Sequence, residues 1–180
     1  MDLIDRAQGT DGINTVQGIS LHDSGHWKAQ WKIRKFKDDE SFARRETYEE
    51  VEFEPNLLAN AGINALLTLL AGGGGTAFNN TNAYLGVGDS STAATATQTD
   101  LQAATNKLRV AMNASYPIYG TSQQIVFQSN FGSSQGNYAW EEFGTFNAST
   151  SGTMLNRLVS SQGTKISGQT WQLTLTVTLS

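Results

Sequence analysis

The 180-residue chain has no cysteine, two prolines and two histidines, and its last 125 residues are nearly devoid of charge. Each shortage excludes something. Without cysteine there is no disulfide framework and no thiolate metal centre, a pattern compatible with folding in a reducing compartment. Both histidines lie in His22-Asp23-Ser24-Gly25-His26, so no imidazole serves the rest of the chain. Of the 12 Lys and Arg and 16 Asp and Glu residues, 28 together, 20 precede Asn56. From Asn56 to Ser180 the only formal charges are Lys107, Arg109, Arg157, Lys165, Asp89, Asp100, Glu141 and Glu142. A soluble domain usually covers roughly a quarter to a third of its surface with charge, and catalytic sites need ionisable groups at close range. The charge-poor region therefore argues against an enzyme and towards a surface that meets other protein. No cofactor is expected.

What remains is rich in Gly, Ser, Thr and Asn, with 38% hydrophobic residues, enough for a core between many turns. A domain of this length buries roughly 70% of the surface of its unfolded chain. The net charge of -4 gives no broad basic field, so no nucleic-acid partner is expected. Met1-Asp2-Leu3-Ile4-Asp5 lacks the cationic and apolar regions of a secretory signal, and none is expected. The longest apolar stretch, Ala65 to Ala71, is too short to span a bilayer, and no membrane partner is expected.

Three parts are predicted. Residues 1–20 show neither helical nor strand periodicity and read as an extended N-terminal arm. Residues 21–55 read as a charged β-hairpin packed on the main domain. Trp27, Ala29, Trp31 and Ile33 alternate with Lys28, Gln30, Lys32 and Arg34, and Val51 and Phe53 alternate with Glu50, Glu52 and Glu54. The two strands are predicted to pair antiparallel across a polar turn at residues 37–40, cations beside carboxylates. Residues 56–180 read as the main domain. Asn56 is the predicted cap of a helix over 57–71, with an apolar stripe of Leu58, Ala61, Leu66, Leu69 and Leu70, ended by Gly72 to Gly75. Gly62 inside that helix predicts a close-packed neighbour. Strands are predicted over 83–88, 107–112, 124–131, 137–146, 154–160 and 170–180. In the last, Trp171, Leu173, Leu175, Val177 and Leu179 alternate with polar residues without a break. The fold class is mainly β: an antiparallel β-sandwich, Greek-key or jelly-roll-like, with one short helix and an extended arm.

The candidate chemistry is thin. His22 and His26 stand four apart, a metal-binding spacing on a helix, but Gly25 and the strand that follows break any helix and leave a polar loop. Gly86-Val87-Gly88-Asp89 begins like a dinucleotide fingerprint but lacks its third glycine and a following helix. Glu141 and Glu142 are adjacent on a predicted strand and point to opposite faces, so they cannot share a substrate. Lys28, Lys32, Arg34 and Lys35 alternate with aromatics as a single-strand nucleic-acid platform would, but the acidic run Glu46 to Glu54 neutralises them. Asn79-Asn80-Thr81, Asn113-Ala114-Ser115 and Asn147-Ala148-Ser149 read as polar loops.

Six phrases in order carry a resemblance. They are Asn56-Leu57-Leu58-Ala59-Asn60-Ala61-Gly62-Ile63-Asn64; Ala83-Tyr84-Leu85-Gly86-Val87-Gly88-Asp89-Ser90; Thr97-Gln98-Thr99-Asp100-Leu101 leading to Arg109; Val126-Phe127 to Phe131; Tyr138-Ala139-Trp140-Glu141-Glu142-Phe143-Gly144 with Leu155-Asn156-Arg157; and Gly163-Thr164-Lys165 to Trp171-Gln172-Leu173. Their order over residues 50–180 resembles small virion structural proteins of tailed bacteriophages. It is similar, more loosely, to the N-terminal domain of phage tail-collar fibre proteins. A fibre continues into a repetitive shaft that this chain lacks, which favours a capsid decoration or cement protein. The alternative is a tail or neck component, a fibre attachment domain or adaptor that binds a host surface. The resemblance implies a virion location after assembly in the bacterial cytoplasm, homo-oligomers such as trimers, and partners that are other virion proteins: the major capsid protein, or tail and neck proteins in the alternative. Candidate assembly contacts are Ile4, Ile13, Val16 and Ile19 in the arm and Ser90, Thr92, Thr95 and Thr97 in a neutral loop. The scarce Arg157 and Lys165 are candidates to pair with Asp89, Glu141 or Glu142.

Overall fold

Period-two alternation dictates the first strand. In the computed structural model, which describes residues 27–54 and 57–180, β1 (Trp27–Phe36) turns Ala29, Trp31 and Ile33 into the core. It pairs antiparallel with β2 (Glu49–Phe53), setting Lys32 opposite Glu52 and Arg34 opposite Glu50, as the charge pattern predicts. The connection corrects the expected polar turn. It contains a helix, α1 (Asp39–Arg44), whose cap Asp38 accepts from the Ser41 N–H at 2.6 Å while the Ser41 hydroxyl accepts from the Asp38 N–H. This reciprocal capping box satisfies two otherwise orphaned donors, and Phe42 then packs edge-on against Phe36 at 5.0 Å.

The second helix starts later than predicted. Leu57–Leu58 form a short strand, β3, held extended by β9 (Met154–Val159), with Leu57 opposite Arg157 and Leu58 opposite Asn156. The Ala59 N–H continues the ladder to the Leu155 carbonyl at 3.0 Å. Only then does α2 (Asn60–Leu70) begin, with Ala59 as a cap that offers no side-chain bond; the predicted cap, Asn56, lies outside the described residues. Strand pairing outcompetes helix propensity over these residues. The neighbour predicted from Gly62 is Leu155: a Cβ at position 62 would stand 2.6 Å from its Cα, so α2 rests directly on the β9 backbone. Gly72, at φ +70°, ends α2 in the left-handed region and donates to the Leu69 carbonyl at 3.1 Å. Leu66 and Leu69 pack on the core, but Leu70, expected with them, is 85% exposed.

The remaining strands are β4 (Tyr84–Gly88), β5 (Lys107–Ala111), β6 (Ile118–Thr121), β7 (Gln124–Phe131), β8 (Glu142–Phe146) and β10 (Thr170–Leu179). Two short departures from expectation stand out. β6, interrupted by Gly120, is too short and irregular to show in the residue pattern, and β8 begins at Glu142, because residues 137–141 take an irregular path in which the Trp140 N–H donates to the Gly163 carbonyl at 2.9 Å. Among the described residues all pairings are antiparallel, in two five-stranded sheets ordered β2-β1-β10-β7-β6 and β3-β9-β8-β4-β5. The result is the predicted mainly-β sandwich.

Between the sheets Trp31, Trp140 and Trp171 meet Phe127, Phe131 and Phe143 in one cluster of buried side chains. Trp140 stands edge-on to Phe131 at 4.8 Å and to Trp171 at 4.9 Å. Burial of each such ring contributes on the order of 1.5–3 kcal/mol, with about 0.5–1.5 kcal/mol more for the edge-on pairs. Phe146 is buried too, but in a second, smaller cluster with Ala59, Leu101 and Met154. That cluster lies on the outward side of the second sheet.

Candidate interaction surfaces

Residues 89–106 join β4 to β5 without helix or strand. Connections longer than about 12–15 residues that lack regular structure are uncommon in compact domains and often functional. This one is fixed in place by charge. Cross-strand register puts Gly88 opposite Glu142 and Lys107, Gly86 opposite Arg109, and Gly144 opposite Arg157, all on the outward face of the second sheet. The glycines make room for what lies over them. A Cβ at Gly88 would stand 3.0 Å from the Glu142 carboxyl carbon, and one at Gly86 would stand 2.8 Å from the Phe146 ring and 3.1 Å from the Leu101 side chain. The Gly-x-Gly that begins like a nucleotide fingerprint is thus a bed for the loop.

Glu142, fully buried, accepts from the Gln102 N–H at 2.8 Å and the Ala103 N–H at 2.7 Å, and from the Arg157 Nε and Nη2 at 2.8 Å each. Arg157, 1% exposed, reaches onward: Nη1 donates to Gln98 Oε1 at 2.9 Å and Nη2 to the Thr92 carbonyl at 2.8 Å. Gln98 in turn accepts from the Thr95 N–H and donates to the Ala93 carbonyl. A carboxylate with four donors and a guanidinium with carbonyl and amide acceptors form a satisfied buried pair, the arrangement in which low dielectric strengthens every bond.

A second set of charges holds the loop's far end. Asp100 accepts from Arg109 Nη2 at 2.8 Å and Lys107 Nζ at 3.1 Å, and Lys107 also donates to the Leu101 carbonyl. Burial alone would raise the Asp100 pKa, but the bonds from Arg109, Lys107 and the Leu101 N–H hold it below the usual carboxylate value. Arg109 lies 3.5 Å over the Phe146 ring and donates to the Ala148 and Ser151 carbonyls. At the base, Asp89 accepts from Asn106 Nδ2 at 2.7 Å. Six of the eight charges after Asn56, namely Asp89, Asp100, Lys107, Arg109, Glu142 and Arg157, therefore fix this one loop.

The structure locates the sequence-derived candidates as follows. Thr92, Thr95 and Thr97 are exposed along the fixed loop, and Ser90 is half-buried with its hydroxyl on Thr92 Oγ1. Ile4, Ile13, Val16 and Ile19, and the His22–His26 pair, lie outside the described residues. Arg157 pairs with Glu142, whereas Glu141 points elsewhere and accepts from Ser161 Oγ at 2.8 Å. Lys165 departs from the expected ion pair. Its buried ammonium donates to the Gly132 carbonyl and Asn137 Oδ1, both at 2.8 Å, and burial pushes its pKa down to about 8 despite the attraction of Asp39. Among the described residues no group of three or more His, Cys, Asp or Glu side chains could hold a metal ion.

Comparison with protein-family models, with curated proteins and with solved structures finds no match for this chain. The site is read from its own geometry.

The outward face of the first sheet differs in kind. Lys32 bridges Glu50 at 2.9 Å and Glu52 at 2.6 Å, Arg34 bonds Glu50 at 2.7 Å, and Lys28 lies 3.4 Å from Glu54. These groups are between about a third and two thirds exposed. Bonds from Lys32 and then Arg34 lower the Glu50 pKa, and bonds from Glu52 and then Glu50 raise that of Lys32. Trp31 and Phe36, which a base-stacking platform would need outside, are buried, and Lys35 belongs to the inner layer, 4.6 Å over the Trp171 ring.

Residue pattern alone missed the roles of Asp100, Lys107, Arg109 and Gln98. The available signal was the placement of scarce charge opposite strand glycines, which gains meaning only once register is known.

Proposed function

We propose that this chain is a non-enzymatic structural protein of a tailed-phage virion, a decoration or cement protein that binds the head lattice through its β4–β5 loop. The observation that carries the binding reading is the fixed loop: buried charge holds residues 89–106 in one shape while the exposed Thr92, Thr95 and Thr97 present neutral hydroxyls. A preorganised loop loses little entropy on binding, and neutral hydroxyls avoid the desolvation cost of ions. The ordered motifs of the sequence supply the virion class. Glu142, the one carboxylate of the adjacent pair that is fully buried, has its acceptor positions occupied and is closed to a substrate.

The outward stripe of α2 adds to the reading. Ile63, Leu67 and Leu70 are 38%, 59% and 85% exposed on a helix without a single charge. An apolar stripe left outside marks a contact with other protein, and a homo-oligomer would cover it.

The test is occupancy on purified virions. Thr95→Lys and Thr97→Lys together leave the melting temperature unchanged and lower occupancy at least about tenfold, equivalent to about 1.4 kcal/mol. Copy number that follows the head lattice fits decoration; a single ring of copies moves the protein to the tail or neck. Absence of the chain from virions, or full occupancy of the double variant, overturns the proposal.

A further inference from the structure

The outward face of the first sheet holds a recess that its charged rows do not explain. Where β1 ends, the face is walled by α1, whose Phe42 rests edge-on against Phe36, and by the β5–β6 connection, which brings up Tyr116. The recess between them has a volume of about 650 Å³, and a smaller one of about 240 Å³ continues from it over Lys32 and Thr174. Arg34, Gln128 and Gln172 line both, so the two make one groove. From Gln30 to Phe36 it follows β1 for about 20 Å, with its larger part at the end of the strand remote from Trp27.

The floor is built from planar polar groups. Register places Arg34 opposite Gln172 and Gln172 opposite Asn130, on one side of three strands. Asn130 Oδ1 accepts from Gln172 Nε2 and from Asn113 Nδ2, both at 3.0 Å, and Asn113 Nδ2 also donates to Gln128 Oε1 at 3.0 Å. Arg34 is held through its Nε by Glu50. These bonds orient the groups yet leave Asn130 Nδ2, Arg34 Nη1 and Nη2, Gln172 Oε1 and Asn113 Oδ1 without a partner among the described residues. Fixed donors and acceptors therefore stand side by side in one recess, with two aromatic rings at its walls.

We propose that this groove binds a neutral oligosaccharide. Sugar hydroxyls donate and accept at once, as the floor requires, and the C–H face of a pyranose ring packs on Phe42 or Tyr116. Other classes fit less well. The floor strands β1, β10 and β7 are interior to their sheet, so they offer no free edge to an extended peptide. Glu50 and Glu52 already meet Arg34 and Lys32, and of the groove's cations only Arg45, at the rim, has no ion pair among the described residues, too little charge for a polyanion. The inference does not rest on the virion reading.

The test is an array of neutral tetra- to hexasaccharides of glucose, galactose, mannose and N-acetylglucosamine, followed by calorimetric titration of the sugars retained. The full chain is expected to retain at least one, with an affinity that holds from about 0.1 M to about 1 M salt, across which the screening length falls from about 10 Å to about 3 Å. Asn130→Asp keeps the acceptor used by Gln172 and Asn113 but removes the free donor, and Gln172→Ala removes a free acceptor. Each is expected to leave the melting temperature unchanged and to weaken binding at least about tenfold. Thr95→Lys with Thr97→Lys, on the opposite sheet, is expected to leave sugar binding as it is, which separates this groove from the loop. Retention of no sugar, an affinity that collapses with salt, wild-type affinity in either groove variant, or loss of binding in the loop variant overturns the inference.

Discussion

The outward faces of the two sheets carry the same chemistry to opposite ends. On the first, cations and carboxylates of β1 and β2 alternate in rows, partly exposed, and neutralise one another in water. On the second, fewer charges lie beneath an irregular loop, and the pair at its centre is almost wholly withdrawn from solvent. Two unit charges 4 Å apart attract by about 1 kcal/mol in water and several-fold more at a protein's effective dielectric, but withdrawing them also carries a desolvation penalty. The difference teaches that the count of ion pairs says little about their role. An exposed row keeps a sheet face soluble, whereas a covered pair selects one path for the chain lying over it.

The comparison breaks most visibly at Arg157. Arg157→Met leaves the Glu142 carboxylate buried without its counter-ion, and the expected loss is about 3–5 kcal/mol of stability in urea unfolding. Amide exchange at Gln102 and Ala103 is expected to accelerate by more than the global loss explains, because their acceptor is then free to move. A loss below about 1 kcal/mol would place the pair with the surface rows.

Lys165 sharpens the comparison as a buried cation bonded to neutral acceptors. Its folded pKa, about 8, lies below the ordinary 10.5, so between these values the unfolded chain binds more protons than the native one. Its contribution to stability therefore rises with pH across that window and is lowest below it, where the group is charged in both states. Lys165→Met is expected to flatten the rise, measured as the difference between the two proteins' unfolding free energies from pH 7 to 10.5. A parallel pH dependence in the two would assign the slope to other groups.

The smallest effect belongs to the exposed rows. Lys32→Ala removes contacts to Glu50 and Glu52 and is expected to cost no more than about 1 kcal/mol, shrinking further in 1 M salt, where the screening length falls to about 3 Å. A larger, salt-independent loss would place these rows with the covered pair of the second sheet.

Legibility followed the range of the interactions. The strands of strict alternation, β1 and β10, run within a residue or two of their predicted ends, since a buried and a wet face impose the period directly. Trp171, Leu173, Leu175 and Val177, apolar positions of the last predicted strand, are buried. The start of α2 was not legible, because the bonds that hold Leu57–Leu58 extended come from β9, about a hundred residues away in sequence. α1 was legible in principle from Asp38 and Ser41, whose spacing is that of a cap and its N3 partner. Gly62 was legible as a close approach but not as to what approaches. The fixed loop was half legible: Ser90 to Thr97 read as a neutral surface, while its anchors lie on three different strands.

By itself the sequence determined where charge is abundant and where it is scarce, which residues form the core, and that the chain builds an antiparallel sandwich. These follow from composition and period, which every copy of the chain carries whatever its neighbours. Only the tertiary structure decided that six scarce charges converge on one loop, that strand glycines lie beneath it, and that amide side chains of β7 and β10 meet in one groove. Burial is the reason. The strength of an ion pair and the shape of an irregular loop depend on what covers them, and cover is assembled from residues that are distant along the chain.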